Sequence, residues 1–355
     1  MGQQPPLRFS LTKGEFMLKT TLNALVAVVI VIGIAAIGFL FGKLGYINKS
    51  NKKLLIRLII SAGMPALVVK NAFGGLNLSE LEKPHLLFLL PILSMAATVA
   101  IAFLLAKILK PSAVRRGGFI AMCAFSNSVF VGLPMNTGLF GEDAVPYVMC
   151  YYIVNTTLFW TIGNYLIGKS GEAAGAMTTP GGILPEEAGI SAKKSFQSVA
   201  AALKKIASPP LIALAISLPC LALGIRLPEP AVRLAGYVGN LVTPLALFYI
   251  GFALYDYGFK SLKPDKLQLC VMLMRFAIAP LSMALLCKLF GLHGMPSGVL
   301  IIESAMPVMT QAVVVAADHD ADEAFVAGGM GLTTLGCFVV VPLLMLLMQV
   351  LGIYG

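Results

Sequence analysis

Charge is scarce in this 355-residue sequence: Asp, Glu, Lys and Arg together supply 12%, roughly half the share found in a soluble globular domain. Water is therefore not the main solvent of the chain. Histidine is scarcer still, and His85, His293 and His319 stand apart at the ends of apolar segments, so no metal site is expected. The six cysteines, Cys123, Cys150, Cys220, Cys270, Cys287 and Cys337, fall singly inside apolar segments without CxxC spacing. They read as small buried hydrophobes, and no disulfide framework follows. There is no P-loop, HExxH pattern or nucleophile elbow, which argues against an ATP-driven pump or a hydrolase. No nucleophile is paired with a base, and no second deep carboxylate is present, so an enzyme is not expected. A cleavable signal peptide is also missing: the first apolar run, residues 21–44, is too long for one and should remain as a spanning helix. Residues 1–20 read as an N-terminal extension, polar as far as residue 16, with Met17 a plausible natural start.

What the sequence has in abundance is apolar side chains, 58% of the total. A spanning helix needs about 20 mostly apolar residues. Runs bounded by charge, Gly or Pro place ten helices at 21–46, 53–73, 84–109, 114–139, 144–168, 207–224, 230–255, 266–290, 296–317 and 321–352. The expectation is an all-α integral membrane protein. The net charge of +10 sits in short clusters between the runs, which suits cytoplasmic loops and not nucleic-acid binding. Loops after the first, third, fifth and seventh helices carry most of it, for example Lys49, Lys52, Lys53, Lys107, Arg115, Arg116, Lys193, Lys194 and Lys263. The opposite side has fewer, Lys83, Arg226, Arg233 and Lys288 together with Arg8, Lys13 and Lys19 of the N-terminal extension, which predicts both termini outside the cytoplasm.

Residues 169–206 are rich in Gly, Pro, Glu and Lys and read as a cytoplasmic linker. They divide the chain into two five-helix halves, residues 21–168 and 207–355, and an odd number of passes inverts the second half. The halves share punctuation: Pro65 in Met64-Pro65-Ala66-Leu67 answers Pro244 in Pro244-Leu245-Ala246-Leu247, and Pro134 answers Pro307, each of the latter followed by acidic residues. An inverted repeat is expected.

Inside a bilayer, unpaired backbone groups are so unfavourable that a helix breaks only where protein or a water-filled cavity satisfies them. The fourth helix reads Ser126-Asn127-Ser128-Val129-Phe130-Val131-Gly132-Leu133-Pro134-Met135-Asn136-Thr137, and the ninth Glu303-Ser304-Ala305-Met306-Pro307-Val308-Met309-Thr310-Gln311. Polar, Gly and Pro residues in mid-span at matching places of two inverted halves point to a transporter's binding site. Half-helix N-termini favour a carboxylate, while freed carbonyls and C-termini favour a cation. Candidate substrate residues are Ser126, Asn127, Ser128, Gly132, Pro134, Asn136, Ser304, Pro307, Thr310 and Gln311, with Asn155 of the fifth helix. The bland alternative is a pair of proline kinks in packed helices.

Two ionisable residues lie deep. Arg275 follows Lys266 by nine residues and so sits about 13 Å in, and Glu303 lies about 10 Å from the opposite side. Glu303 is expected to take part in proton or sodium coupling, with Arg275 balancing it or attracting a substrate carboxylate; a structural ion pair between the two is the competing reading. Lys70 is expected to snorkel to the interface. Asn240 and Thr243, which precede Pro244, are further candidates to face the same cavity.

The stretch Cys123-Ala124-Phe125-Ser126-Asn127-Ser128-Val129-Phe130-Val131-Gly132-Leu133-Pro134, with Leu139-Phe140-Gly141-Glu142, Tyr151, Asn155, Trp160-Thr161 and Ser304-Ala305-Met306-Pro307, resembles the auxin efflux carrier family. That family includes bacterial malate and malonate permease-like proteins as well as plant auxin exporters. The resemblance implies a fold like that of the sodium/bile-acid symporters, in which the fourth and ninth helices cross at their breaks. It also implies an elevator-like core moving against a scaffold of helices 1, 2, 6 and 7, and a homodimer. By motif position Asn127, Pro134 and Pro307 would lie at the substrate site. The short linker is closer to the bacterial permeases, which implies a bacterial inner membrane, lipid contact and a small organic anion as substrate. No cofactor is expected beyond a coupling Na+ or H+. A cation/proton antiporter and a non-transporting membrane sensor are the alternatives.

Overall fold

The computed structural model describes residues 29–30, 32–74, 81–178, 209–258 and 264–350. All regular elements among these residues are helical, and the β-type pairing is limited to an isolated antiparallel bridge between Ser126 and Val308. In chain order the helices are α1 (Ile32–Lys43), α2 (Lys52–Phe73) and α3 (Pro84–Leu109). Next come α4 (Ala113–Ala124) and α5 (Leu133–Phe140). A long α6 starts at Val145–Leu158 and continues through Phe159–Gly163 into Asn164–Thr178. The second part of the chain contains α7 (Pro209–Ala222), α8 (Glu229–Asp256) and α9 (Lys266–Leu289). It ends with α10 (Gly294–Ser304), α11 (Gln311–Asp318) and α12 (Glu323–Val350). Among the described residues, α2, α3, α8 and α9 are long and apolar enough to cross a membrane.

Several helices carry a wide turn with i→i−5 bonding. Three such turns, Ile59–Gly63, Ser128–Gly132 and Met274–Ile278, end two residues before Pro65, Pro134 and Pro280. Proline has no N–H to give the carbonyl four residues back, and its ring crowds that carbonyl. The ladder therefore slips by one residue just ahead of it. In α8 the equivalent disturbance is the turn at Asn240–Leu241, ahead of Pro244.

The outer surface is apolar. Leu335, Val339, Leu343 and Leu347 make an exposed stripe at four-residue spacing along α12, and Leu269, Leu273, Leu281 and Leu285 another on α9. Hydrocarbon satisfies such stripes and water does not. Small residues let backbones approach where helices meet: Gly38 of α1 lies against the backbone of Phe248, and Gly251 of α8 against that of Ala35.

The ends of the helices sort into two sets. At one end Lys52 pairs with Glu323 at 3.1 Å, and Arg115 with Asp322 at 2.7 Å and Asp265 at 3.2 Å. At the other, Lys83 Nζ donates to the Gly291 carbonyl at 2.9 Å. Lys70 donates to exposed Asn240 at 2.9 Å, so Asn240 serves Lys70 and does not face the buried break in the helices. The stretch expected to be linker starts later than the sequence suggests, because α6 continues to Thr178. Ser170 holds it there by accepting from the Gly117 N–H at 2.8 Å, and Gly171 packs against His319. The N-terminal extension and the remainder of the linker lie outside the described residues.

Candidate functional site

The helical ladder stops after Ala124 and again after Ser304, and the two interruptions meet in the interior. Their extended segments pair antiparallel: the Asn127 N–H donates to the Pro307 carbonyl at 2.8 Å, and the Met309 N–H to the Phe125 carbonyl at 3.4 Å. Each broken strand of this junction has a second edge, and side chains from other helices satisfy it. Asn155 of α6 clamps Ser126 by accepting from its N–H at 3.1 Å and donating to its carbonyl at 2.8 Å. Thr333 of α12 accepts from the Val308 N–H at 3.0 Å and donates to Gly329 at 2.8 Å. In a fully buried setting each such group would otherwise be left without water or partner.

Arg275 closes the carbonyl side. Nη1 donates to Ala124 at 3.1 Å, Nη2 to Ser304 and to Met306 at 2.7 Å, and Nε to Met306 at 3.0 Å. These carbonyls belong to the last residues of α4 and α10 and the chain just beyond. The wide turn Met274–Ile278 carries the guanidinium to them. No ion pair joins Arg275 to Glu303 among the described residues, so the ion pair weighed from sequence is replaced by carbonyl bonds. Arg275 is fully buried, and these four bonds all go to backbone carbonyls.

Glu303 forms a second cluster one turn back. Asn136 Nδ2 donates to Glu303 Oε1 at 2.7 Å and to the Gly132 carbonyl at 2.9 Å. Glu303 Oε2 and Asn136 Oδ1 are buried and have no hydrogen-bond partner. Gly132 leaves room for this carboxylate, because a Cβ there would meet both carboxylate oxygens of Glu303 and oblige them to shift.

The sequence candidates separate by position. Asn127 Nδ2 donates to Thr310 Oγ1 at 2.7 Å, which joins the start of one half-helix to the start of the other. Ser126 Oγ donates to the Tyr151 hydroxyl at 3.1 Å, and Ser128 is buried nearby in sequence. Pro134 is second in α5, and the Pro307 carbonyl accepts from Asn127. Ser304 spends its hydroxyl on Ile301 and its carbonyl on Arg275. Gln311 lies 3.8 Å from Met64 Sδ through Nε2, and its Oε1 is buried without a partner. Asn155, a candidate by sequence, lies at the junction with both ends of its amide bonded to the Ser126 backbone. In the sequence, the signal for Thr333 is limited to a Thr-Thr pair in the last apolar run.

The model of the membrane transport protein family matches residues 23–345. An uncharacterized transporter of Methanocaldococcus jannaschii is 24% identical over 331 residues, 89% of this chain and 96% of that protein. An uncharacterized transporter of Methanothermobacter thermautotrophicus is 24% identical over 333 residues, 92% of this chain and 96% of that protein. A multi-pass membrane transporter, this chain belongs to the membrane transport protein family, which is the auxin efflux carrier family.

Proposed function

We propose that the protein is a secondary active transporter that carries a small organic anion, a dicarboxylate or an auxin-like carboxylate, across a bacterial inner membrane. The observation that carries this reading is the buried meeting of two interrupted helices, with Asn127 and Thr310 bonded just ahead of the wide turn Ser128–Gly132 that leads into α5 and of α11. Helix starts hold N–H groups without intrahelical partners and partial positive charge, so a carboxylate is favoured there. In this reading Asn127, Thr310, Ser128 and Gln311 receive the anion, and Pro134 and Pro307 keep the backbone open for it. Glu303 is the coupling position, because its carboxylate is buried with one oxygen unpartnered. The reading extends to ten spans in two inverted five-helix repeats, a homodimer with both termini outside the cytoplasm, and an elevator-like motion.

The test is flux into proteoliposomes with malate, malonate, oxalate and indole-acetate, using Asn127→Ala as the control variant. Saturable uptake of one of these, lost in the variant, is expected; no saturable uptake of any organic anion overturns the proposal. A second reading, a cation/proton antiporter, is favoured by the buried Glu303 carboxylate. It requires cation-for-proton exchange when no organic anion is present, whereas the anion carrier requires none.

A further inference from the structure

We infer that Arg275 is a resident cation: its guanidinium fills the carbonyl cradle that would otherwise hold a sodium ion at the junction. The inference rests on the transporter reading for its functional consequence but on geometry for its substance.

The ends of α4 and α10 both point into the junction, each with unsatisfied carbonyls and partial negative charge. Two such ends side by side in a low-dielectric interior repel each other and call for a positive charge. Oxygen-only cradles of backbone carbonyls are what hard cations such as sodium take in transporters with broken helices. Here three carbonyls, those of Ala124, Ser304 and Met306, are taken by four N–H···O bonds from one side chain. A planar fork with donors on several edges spans carbonyls from both interruptions at once, which a lysine ammonium cannot do. No salt bridge reaches this guanidinium among the described residues; the carbonyl dipoles surround it, with the Tyr151 hydroxyl beside it and the Glu303 carboxylate near enough to interact electrostatically.

The charge is tethered to α9 and cannot be exchanged with solution. The junction therefore keeps its positive charge through the whole cycle, whatever the sodium gradient. Coupling at this junction then falls to Glu303 and a proton. Arg275 acts as a positioning residue that joins the two half-helix ends and does not touch the anion.

Purified protein is compared with Arg275→Ala and Arg275→Lys by thermal unfolding. The added salts are millimolar guanidinium, sodium or choline at matched ionic strength. The alanine variant is expected to lose Tm and to recover it selectively with guanidinium, with a smaller recovery by sodium and none by choline. Wild type is expected to respond alike to all three. Arg275→Lys should lie between wild type and the alanine variant, which keeps the comparison available if the alanine variant does not fold. An alanine variant as stable as wild type, or a lysine variant equal to wild type, overturns the inference. So does an alanine variant whose loss guanidinium cannot recover. These readouts need neither substrate nor flux, so they stand or fall separately from the anion-carrier proposal. Where uptake is measurable, replacing sodium by choline should leave the wild-type rate unchanged, and a sodium requirement would refute the proton assignment.

Discussion

Glu303 and Gly132 constrain each other at the scale of single residues. The Glu303 carboxylate fits against Gly132 because no Cβ is there, and Asn136 ties the two together. Gly132→Ala is therefore expected to destabilise the protein by about 1–3 kcal/mol through overpacking. Thermal unfolding would read this as a lowered Tm, and an unchanged Tm would show that Glu303 can move aside. Glu303→Gln keeps the shape and the acceptor for Asn136 but cannot exchange a proton. Uptake driven by an imposed pH gradient is expected to fall to the level seen without the gradient, while Tm is kept. Persistence of the gradient effect would remove Glu303 from coupling. Glu303, Asn127 and Gly132 were legible in the sequence because a charge, an amide or a glycine in an apolar span has a penalty to offset. The true partner of Arg275 was not legible. Its depth and charge suggested an acid, whereas its partners are backbone carbonyls, and every residue has one.

At the scale of elements, the wide turns in the helices follow from proline, and the repair of the interrupted backbone follows from neighbours. Pro65, Pro134 and Pro280 each sit two residues past a wide turn, so the local cause can be read directly from the sequence. What closes the junction is different: Asn155 and Thr333 come from α6 and α12 to satisfy Ser126 and Val308. Thr333→Val preserves the side-chain shape and leaves the Val308 N–H buried without an acceptor. A loss of about 1–3 kcal/mol is expected. Chemical or thermal unfolding checks it, and a neutral result would mean that another acceptor reaches Val308. Asn155 is a substrate candidate by sequence, and in the structure both ends of its amide bond the Ser126 backbone. Periodicity gives the face of a helix but not what that face finds opposite it.

On the scale of the whole molecule, the start of α12 is tied to the starts and ends of other helices. Glu323 pairs with Lys52 at the start of α2 and accepts a hydrogen bond from Tyr249 of α8. In the elevator reading α2 and α8 belong to the scaffold and α12 to the moving body, so this link must part in each cycle. A short bis-maleimide joining cysteines introduced at Lys52 and Glu323 is expected to stop uptake, with either single variant still active after the same treatment. Continued uptake in the cross-linked protein would exclude relative motion of these helices. The sequence by itself determined the solvent of this protein, the apolar runs and the prolines that widen the helical turns ahead of them, because these depend on side-chain polarity and on proline's missing N–H. Only the tertiary structure decided how the broken backbone is satisfied. Donors such as Arg275, Asn155 and Thr333 reach backbone groups far away in the chain, and those groups are chemically alike at nearly every position, so only proximity in space selects among them.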